Sequence, residues 1–416
     1  MRNCIIAAVV LGLLTWQAAR ASEREMNRVL GQWQQQMAEF EAALSVADSE
    51  ERRAMITPPS PEEIAPALWR SISGVTGTKR QLSKAEKKSA ADIRANRAYE
   101  FEQEWAAPAV VWFINHADAF ANLFRNDATS RIFFAEALLN SVLNTHFASP
   151  IIAEACPKLA ESTSEKVFNI VEKIFTHNTA PAARACAALT LSSMLANPSL
   201  SASEGGDARV RSKRIYYIKQ ALSTAPGSTM YGSMSLTQAA TEQIYHLRNL
   251  STGAVPPQFQ VTTQEGATAT FPVQGKANLI FFWSPEEDTG LSIMRKQLAL
   301  KTRYPELVLC PIVPHSSREE WQSMLSTNNI TTCYMDDEKG TVGLSYRVSM
   351  LPMVVLVNER SRILYIGYPN MQLQTALDNL FSDKAAAGAK PAQAPPAPEP
   401  EGASDTPPAL RPMPQF

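Results

Sequence analysis

Between the apolar run that ends at Phe282-Trp283 and the helical stretch that starts near Leu291, the chain reads Ser284-Pro285-Glu286-Glu287-Asp288-Thr289-Gly290. Three adjacent carboxylates have three chemistries open to them. A metal site would need further ligands, and no histidine lies near in sequence. General acid–base work by paired carboxylates requires a raised pKa on one of them. The third role is electrostatic: acids just before a helix complement the positive end of its dipole, each for about 0.3–1 kcal/mol. The sequence favours this last reading, a cap on a helix predicted over Leu291–Thr302.

The other chemistry-bearing residues are sparse. Of five cysteines, Cys4 sits in the N-terminal apolar run, leaving Cys156, Cys186, Cys310 and Cys333. Cys310 and Cys333 fall in strand-like segments and Cys156 and Cys186 in helical ones, environments where thiols are usually buried and inert. Four cysteines permit three disulfide connectivities, and Cys156 with Cys186, in neighbouring helical elements, is one candidate pair. His116, His146, His177, His246 and His315 are scattered, with no His-x-x-x-His spacing, no glycine-rich phosphate loop and no Gly-x-Ser-x-Gly elbow. No metal and no cofactor is expected.

The N-terminus reads as a secretory signal peptide, residues 1–21. Arg2 supplies the positive start, Cys4–Leu14 the short apolar run, and Ala19-Arg20-Ala21 the small-x-small cleavage pattern. No cysteine follows the run at the position of a lipid anchor, and no later stretch is long and apolar enough to span a bilayer. The expected location is exported, periplasmic or extracellular. Cleavage leaves 37 of the 39 basic residues against 40 acids, a net charge of −3. That balance gives no electrostatic basis for nucleic-acid binding. The cluster Lys79, Arg80, Lys84, Lys87 and Lys88 reads as a solvated helix face.

Residues 22–250 read as an all-α domain of helical hairpins. Met26, Val29, Leu30, Trp33 and Met37 recur at helical spacing, and the segments 106–124 and 130–147 are apolar enough to pack centrally. "STSEKVFNIVEKIFTHN" carries a capping-box pattern at Ser162 and Glu165, then an apolar face of Val167, Ile170, Val171 and Ile174. The small-residue stretch "AARACAALTLSSMLAN" can pack closely against it as an αα-hairpin, although no fixed-period repeat is present. "SASEGGDARVRSKR" reads as a polar loop, and "IYYIKQAL" and "SLTQAATEQIYHLRNL" as the helices that complete the domain.

From residue 251 the texture alternates between β-like runs and helices, which implies an α/β sheet covered by helices over 251–384. Strands are expected in "ANLIFFW", "LVLCPIV", "MVVLVN" and "RILYIGY", and helices at Leu291–Thr302, Ser317–Asn328, Gly340–Tyr346 and Gln372–Leu380. Residues 385–416 are Ala/Pro-rich and are expected to be a disordered tail.

Residues 253–381 resemble the exported thioredoxin-like family of thiol–disulfide oxidoreductases. "GAVPPQFQVTTQEGATATFPVQGKANLIFFW" is similar to its proline-bearing lead-in, hairpin and central strand, and "ELVLCPIVPHSSREEWQSMLSTNNI" to its second strand and helix. "DDEKGTVGLSYRVSMLPMVVLVNERSRILYIGY" resembles the turn, short helix, cis-proline and β-hairpin that follow, which implies a cis bond at Leu351-Pro352. The family's cysteine pair maps onto Glu287 and Gly290, and moving the alignment by one residue, to Glu286, recovers no thiol. The resemblance therefore implies a degenerate site. Its candidate face comprises Trp283, Glu286, Glu287, Asp288, Gly290, Leu351 and Pro352, and it would hold a protein partner or an extended peptide without redox exchange. In the family's fold the stretches that carry Cys310 and Cys333 run side by side, which makes these two a candidate disulfide, and the alternative function is a thiol–disulfide oxidoreductase or peroxidase of the cell envelope acting through them. Oligomeric state is not encoded in any of these features.

Overall fold

The computed structural model describes residues 2–78, 97–202, 205–262, 268–284, 290–314, 323, 325–327, 330, 333–337 and 339–388. The basic cluster at 79–88 and the chain beyond 388 lie outside the described residues. Among the described residues, no helix is long and apolar enough to cross a membrane. Two units share the chain, Met1–Asn249 and Leu250–Phe416.

The first unit is helical, but it also carries two short antiparallel pairs, β1 (Val75–Thr78) with β2 (Arg97–Tyr99) and β3 (Met230–Tyr231) with β4 (Met234–Ser235). It is therefore not purely all-α. Helix α1 (Arg2–Val46) buries Met26 and Val29, and Trp33 sets its edge against Trp112 at 5.8 Å. Helix α2 (Pro61–Ile72) starts on a proline that lacks the amide a first turn cannot use, and Glu62 and Glu63 face the positive end of its dipole. Its Trp69 is the hub of the aromatic core. Phe101 stacks on it at 5.9 Å, while Phe113, Phe120, Phe124 and Phe134 meet it edge-on at 5.1–5.7 Å. Such rings gain about 0.5–1.5 kcal/mol per pair beyond the area they bury.

Helix α3 (Ala107–Asn115) is buried along almost its whole length, as its apolar composition predicts, and α4 (Ala117–Leu123) follows it directly. Helix α5 (Ala128–Asn144) is less central than its composition implies: Leu138 and Val142 are buried, but Ile132 faces solvent. Asp127 caps it by accepting the Ser130 amide at 2.9 Å.

The predicted αα-hairpin is present. Helix α6 (Glu165–His177) buries Val167, Ile170, Val171 and Ile174, the four residues of the sequence-derived face. Its cap differs from the expected capping box. Ser164, not Ser162, is the N-cap residue, and Ser162 instead accepts the Ser164 amide, two residues on, at 3.2 Å. Asn178 then builds the turn, donating to Phe147 O at 2.7 Å and Ser149 O at 3.0 Å and accepting the Ala180 amide at 2.8 Å. In α7 (Pro181–Met194), every residue from Ala185 to Ser192 is fully buried. Small side chains let the backbones of neighbouring helices approach this closely. Helix α8 (Asp207–Thr224) starts inside the stretch that reads as a loop. Its charged first half hides where the helix starts, its second half being read as helical, and Gly205 and Gly206, at φ +83° and +109°, make the turn that precedes it. Helix α9 (Leu236–Asn249) closes the unit.

The second unit is built on one mixed sheet, in the order β11-β10-β7-β8-β9-β5-β6. The strands are β5 (Phe259–Thr262), β6 (Thr268–Phe271), β7 (Asn278–Phe282), β8 (Val308–Val313), β9 (Tyr334–Met335), β10 (Met353–Val357) and β11 (Ile363–Gly367). Helix α10 (Gly290–Arg303) carries the chain from β7 to its parallel neighbour β8. The short α11 (Thr341–Ser345) precedes β10, and α12 (Met371–Gly388) follows β11, running past residue 385 where the tail is expected to start. This is the order of hairpin, central strand, crossover, short helix and second hairpin that the resemblance implies. Most of the helix expected at 317–328 lies outside the described residues.

Every residue of β7 is buried, and the polar one is satisfied. The Asn278 side chain accepts the Val273 amide at 2.8 Å and donates to Val273 O and Lys276 O at 2.9 and 2.8 Å. It thereby holds the turn that follows a cis Phe271–Pro272 bond, which the sequence reading did not anticipate.

Buried His146 joins two parts of the first unit through Nε2, 2.7 Å from Phe101 O; since a carbonyl only accepts, Nε2 carries the proton. Burial lowers its pKa below the ordinary 6.5. As pH falls below that value the unfolded chain takes up a proton that the folded chain does not, so stability falls with acidification and is level above it. Thermal unfolding measured from about pH 7.5 to about 5.5 is expected to show this slope, and His146→Gln to flatten it.

Candidate functional site

The sheet register assembles the site. Met353 lies opposite Phe282, and Val354 lies between Phe281 and Gly367 on its two neighbours. The chain leaving β7, the chain entering β10 and the chain leaving β11 therefore meet at one end of the sheet. At that end the Leu351–Pro352 bond is cis. Pro352 is buried and Leu351 half-buried, while Met350 stands 79% exposed just before them. Tyr368 and Met371, after β11, are 55% and 79% exposed.

The remaining predicted face residues are placed differently. Trp283 is 0% exposed and packs with Leu279, Phe281 and Met294. It underlies the face rather than offering itself to a partner, because strand alternation turns it to the same side as Leu279 and Phe281. Its backbone amide extends the ladder to Ile312 O at 3.1 Å, and its Nε1 has no hydrogen-bond partner among the described residues. Gly290 is the first residue of α10 and is buried. Glu286, Glu287 and Asp288 lie outside the described residues; in sequence they lead into the first turn of α10.

Two carboxylates that the sequence reading passed over as turn residues position the Pro352 loop. Asp336 is buried after β9 and accepts three backbone amides. Oδ1 takes Asp337 at 2.8 Å and Val342 at 3.0 Å, and Oδ2 takes Gly343 at 2.7 Å. Two of these amides belong to the open first turn of α11. Asp337 accepts Lys339 and Thr341 amides at 3.1 and 2.8 Å, and these bonds, those to Thr341 foremost, hold its pKa below the usual carboxylate value. Gly340 turns into the helix at φ +65°, a conformation that favours glycine. Beyond α11, buried Tyr346 donates to Pro257 O at 2.7 Å and tilts against Phe282 at 5.5 Å, tying the loop to the lead-in segment and to β7.

All four described cysteines are buried thiols. Cys310 pairs with Ile280 in the ladder and shares a sheet face with Ile312, whereas Cys333 packs with Leu279, Phe281 and Val313 on the other face. Both are free thiols, and strand alternation turns the Cys310 side chain away from the cluster that holds Cys333. Burial raises the Cys310 thiol well above its ordinary value, and the neighbouring Cys333 adds to this. In the first unit Cys156 donates to Ile152 O at 3.6 Å and Cys186 to Met230 O at 3.4 Å. Burial raises both thiols, Cys186 to about 11. A raised pKa is the opposite of what makes cysteine a nucleophile, so Cys156, Cys186 and Cys310 are not activated thiols. Among the described residues no group of three or more His, Cys, Asp or Glu side chains could hold a metal ion; Glu286, Glu287 and Asp288 are not among them.

No family model matches the chain, and no curated relative matches it. Solved structures similar to its C-terminal part are thioredoxin-like thiol–disulfide oxidoreductase domains. The thioredoxin domain of a thiol-disulfide oxidoreductase from Bacteroides vulgatus is 16% identical over 32% of this chain and 98% of that one, with a TM-score of 0.29. StoA from Bacillus subtilis is 19% identical over 30% and 96%, with a TM-score of 0.27. A thiol-disulfide oxidoreductase from Bacteroides fragilis is 17% identical over 31% and 99%, with a TM-score of 0.28. The strand order and register of the second unit themselves define its fold.

Two measurements check this geometry. Asp336→Ala leaves buried amides without an acceptor and is expected to cost about 1–3 kcal/mol in denaturant unfolding, with the slope unchanged. An alkylating reagent, followed by mass spectrometry, is expected to leave Cys156, Cys186, Cys310 and Cys333 unmodified until denaturant unfolds the chain.

Proposed function

We propose that the chain is an exported thioredoxin-like protein whose C-terminal unit holds an extended polypeptide at the Pro352 end of its sheet, by backbone pairing and apolar contact, without exchanging disulfides. One observation carries this reading: Met350, Tyr368 and Met371 stand exposed at an end of the sheet where the sequence from Trp283 to Gly290 contains no cysteine. Large apolar side chains grouped on a surface mark interaction sites rather than chance exposure. The loop bearing Met350 is fixed by the Asp336 and Tyr346 hydrogen bonds, so a partner would meet a preformed surface. Glu286, Glu287 and Asp288 add an acidic margin in the sequence next to that surface. A partner segment carrying apolar and basic residues fits this combination. Export is supported by the positive start, apolar run and Ala19-Arg20-Ala21 pattern of the N-terminus. The helical unit serves as a scaffold in this reading. The opposite-face placement and raised pKa of Cys310 count against an oxidoreductase using Cys310 and Cys333.

Fluorescence anisotropy with a labelled, carboxymethylated, permanently unfolded polypeptide tests the proposal. Saturable binding is expected, and Met350→Glu is expected to weaken it about tenfold or more while leaving the circular dichroism spectrum unchanged. Reduction of an insulin-type disulfide is expected at the uncatalysed rate. Catalysed reduction that disappears in Cys310→Ser would replace this reading with the oxidoreductase one.

A further inference from the structure

Helix α8 buries Tyr217, Ile218 and Ala221 in the helical unit, and its opposite side is open. On that side Ile215, Tyr216 and Leu222 are 37%, 50% and 40% exposed, with Arg209 and Lys219 exposed among them. Ile215, Lys219 and Leu222 follow one another at i, i+4 and i+7, and Tyr216 lies three residues before Lys219, so these four cover one continuous stretch of helix surface. Arg209 extends it by a row through exposed Ser212 to Tyr216. Large apolar side chains that share a face in this way mark an interaction surface, as single ones do not.

The charge of this region has one sign. From Ala208 to Thr241 the chain carries five basic residues, Arg209, Arg211, Lys213, Arg214 and Lys219, and no acid, although the whole chain has 40 acids against 39 bases. Helix α7, on which α8 packs through a bond from Arg214 Nε to Ser192 O at 2.9 Å, contains no acid either. The hairpin that follows α8 is anchored lower on α7, where Cys186 donates to Met230 O at 3.4 Å, so it lies toward the Leu222 end. There Met230 and Met234 are 55% and 37% exposed.

The occupant must therefore be anionic where it meets Arg209 and Lys219, and apolar where it meets Ile215 and Leu222. The outer side of a single helix is convex and offers no groove to enclose a peptide, whereas a bilayer interface takes up such a face. Alkyl side chains enter the acyl boundary, a tyrosine ring sits at headgroup level, and lysine and arginine meet the lipid phosphates. With its other side held in the core, α8 would lie in the plane of the interface.

We propose that the outer face of α8 docks the protein on a membrane surface rich in anionic lipid. The surface lies wholly within the helical unit and is independent of the Pro352 face. Co-sedimentation of the chain from Ser22 onward tests it, with vesicles of phosphatidylglycerol mixed into phosphatidylcholine and vesicles of phosphatidylcholine alone; omitting residues 1–21 keeps the N-terminal apolar run from binding lipid by itself. The mixed vesicles are expected to bind about tenfold more tightly than the neutral ones, and added salt to weaken them. Arg209→Gln with Lys219→Gln is expected to weaken binding about fivefold or more and to flatten its salt dependence. Ile215→Ser with Leu222→Ser is expected to weaken it by a similar factor with the salt dependence kept. All four residues are exposed, so Tm is expected to be retained. A polarity-sensitive dye on Leu222→Cys, the four described native thiols being buried, is expected to shift to the blue on the mixed vesicles, and the same dye on Ile132→Cys of α5 to stay unchanged. Absence of binding to the mixed vesicles overturns the proposal. So does equal binding to neutral vesicles, unchanged affinity in both double variants, or an equal dye shift at Ile132. Binding to soluble polyglutamate as tight as to the vesicles would assign the face to an acidic polypeptide and would overturn it as well.

Discussion

A strand with partners on both edges and cover on both faces has no surface left for water, and β7 is such a strand. Each backbone group must be paired and each side chain fitted, so the positions of β8 and β10 follow from β7 with almost no freedom. The placement of the Pro352 loop is a consequence: Met353 can only sit opposite Phe282 if the chain before it enters from the end where Trp283 leaves. Asp336 and Tyr346 then hold that entry from the side. The backbone at this end is thus positioned by the core beneath it.

What the sequence reveals and what it conceals divide along physical lines. Continuous apolar runs such as 277–283 and the 3.6-residue face of Val167, Ile170, Val171 and Ile174 report burial directly, because no other arrangement keeps those side chains from water. The start of helix α8 is hidden because Asp207–Arg214 is mostly charged or polar, whereas its second half, with Tyr217, Ile218 and Ala221 buried, is legible as a helix. Asp336 looked like a turn residue because turns and buried caps favour the same side chain, and only the fold decides which amides it meets. Met350 carries the opposite ambiguity: its apolar side chain lies in a loop, where sequence does not separate a buried residue from an exposed one.

The candidate site divides in the same way. The missing cysteine pair is legible letter by letter, and so is the proline that marks the loop. The faces on which Cys310 and Cys333 lie are not, because a one-residue difference in register reverses them. Trp283 illustrates the same limit. Its place next to the site in sequence is plain, but its side chain belongs to the layer under the surface. Sequence neighbourhood locates the backbone of a site better than it assigns the groups that reach a partner.

Helix α7 has a consequence for how this chain can change over time. Between Ala185 and Ser192 it presents no side that faces water, and its neighbours approach closely because its side chains are short. Each added methylene there must displace a neighbouring helix, and each lost one leaves a void. A typical surface helix has one half on which substitutions are nearly free; this one has none. Drift in the helical unit should therefore collect on the outer side of α5, while the row of alanines in α7 admits scarcely any replacement.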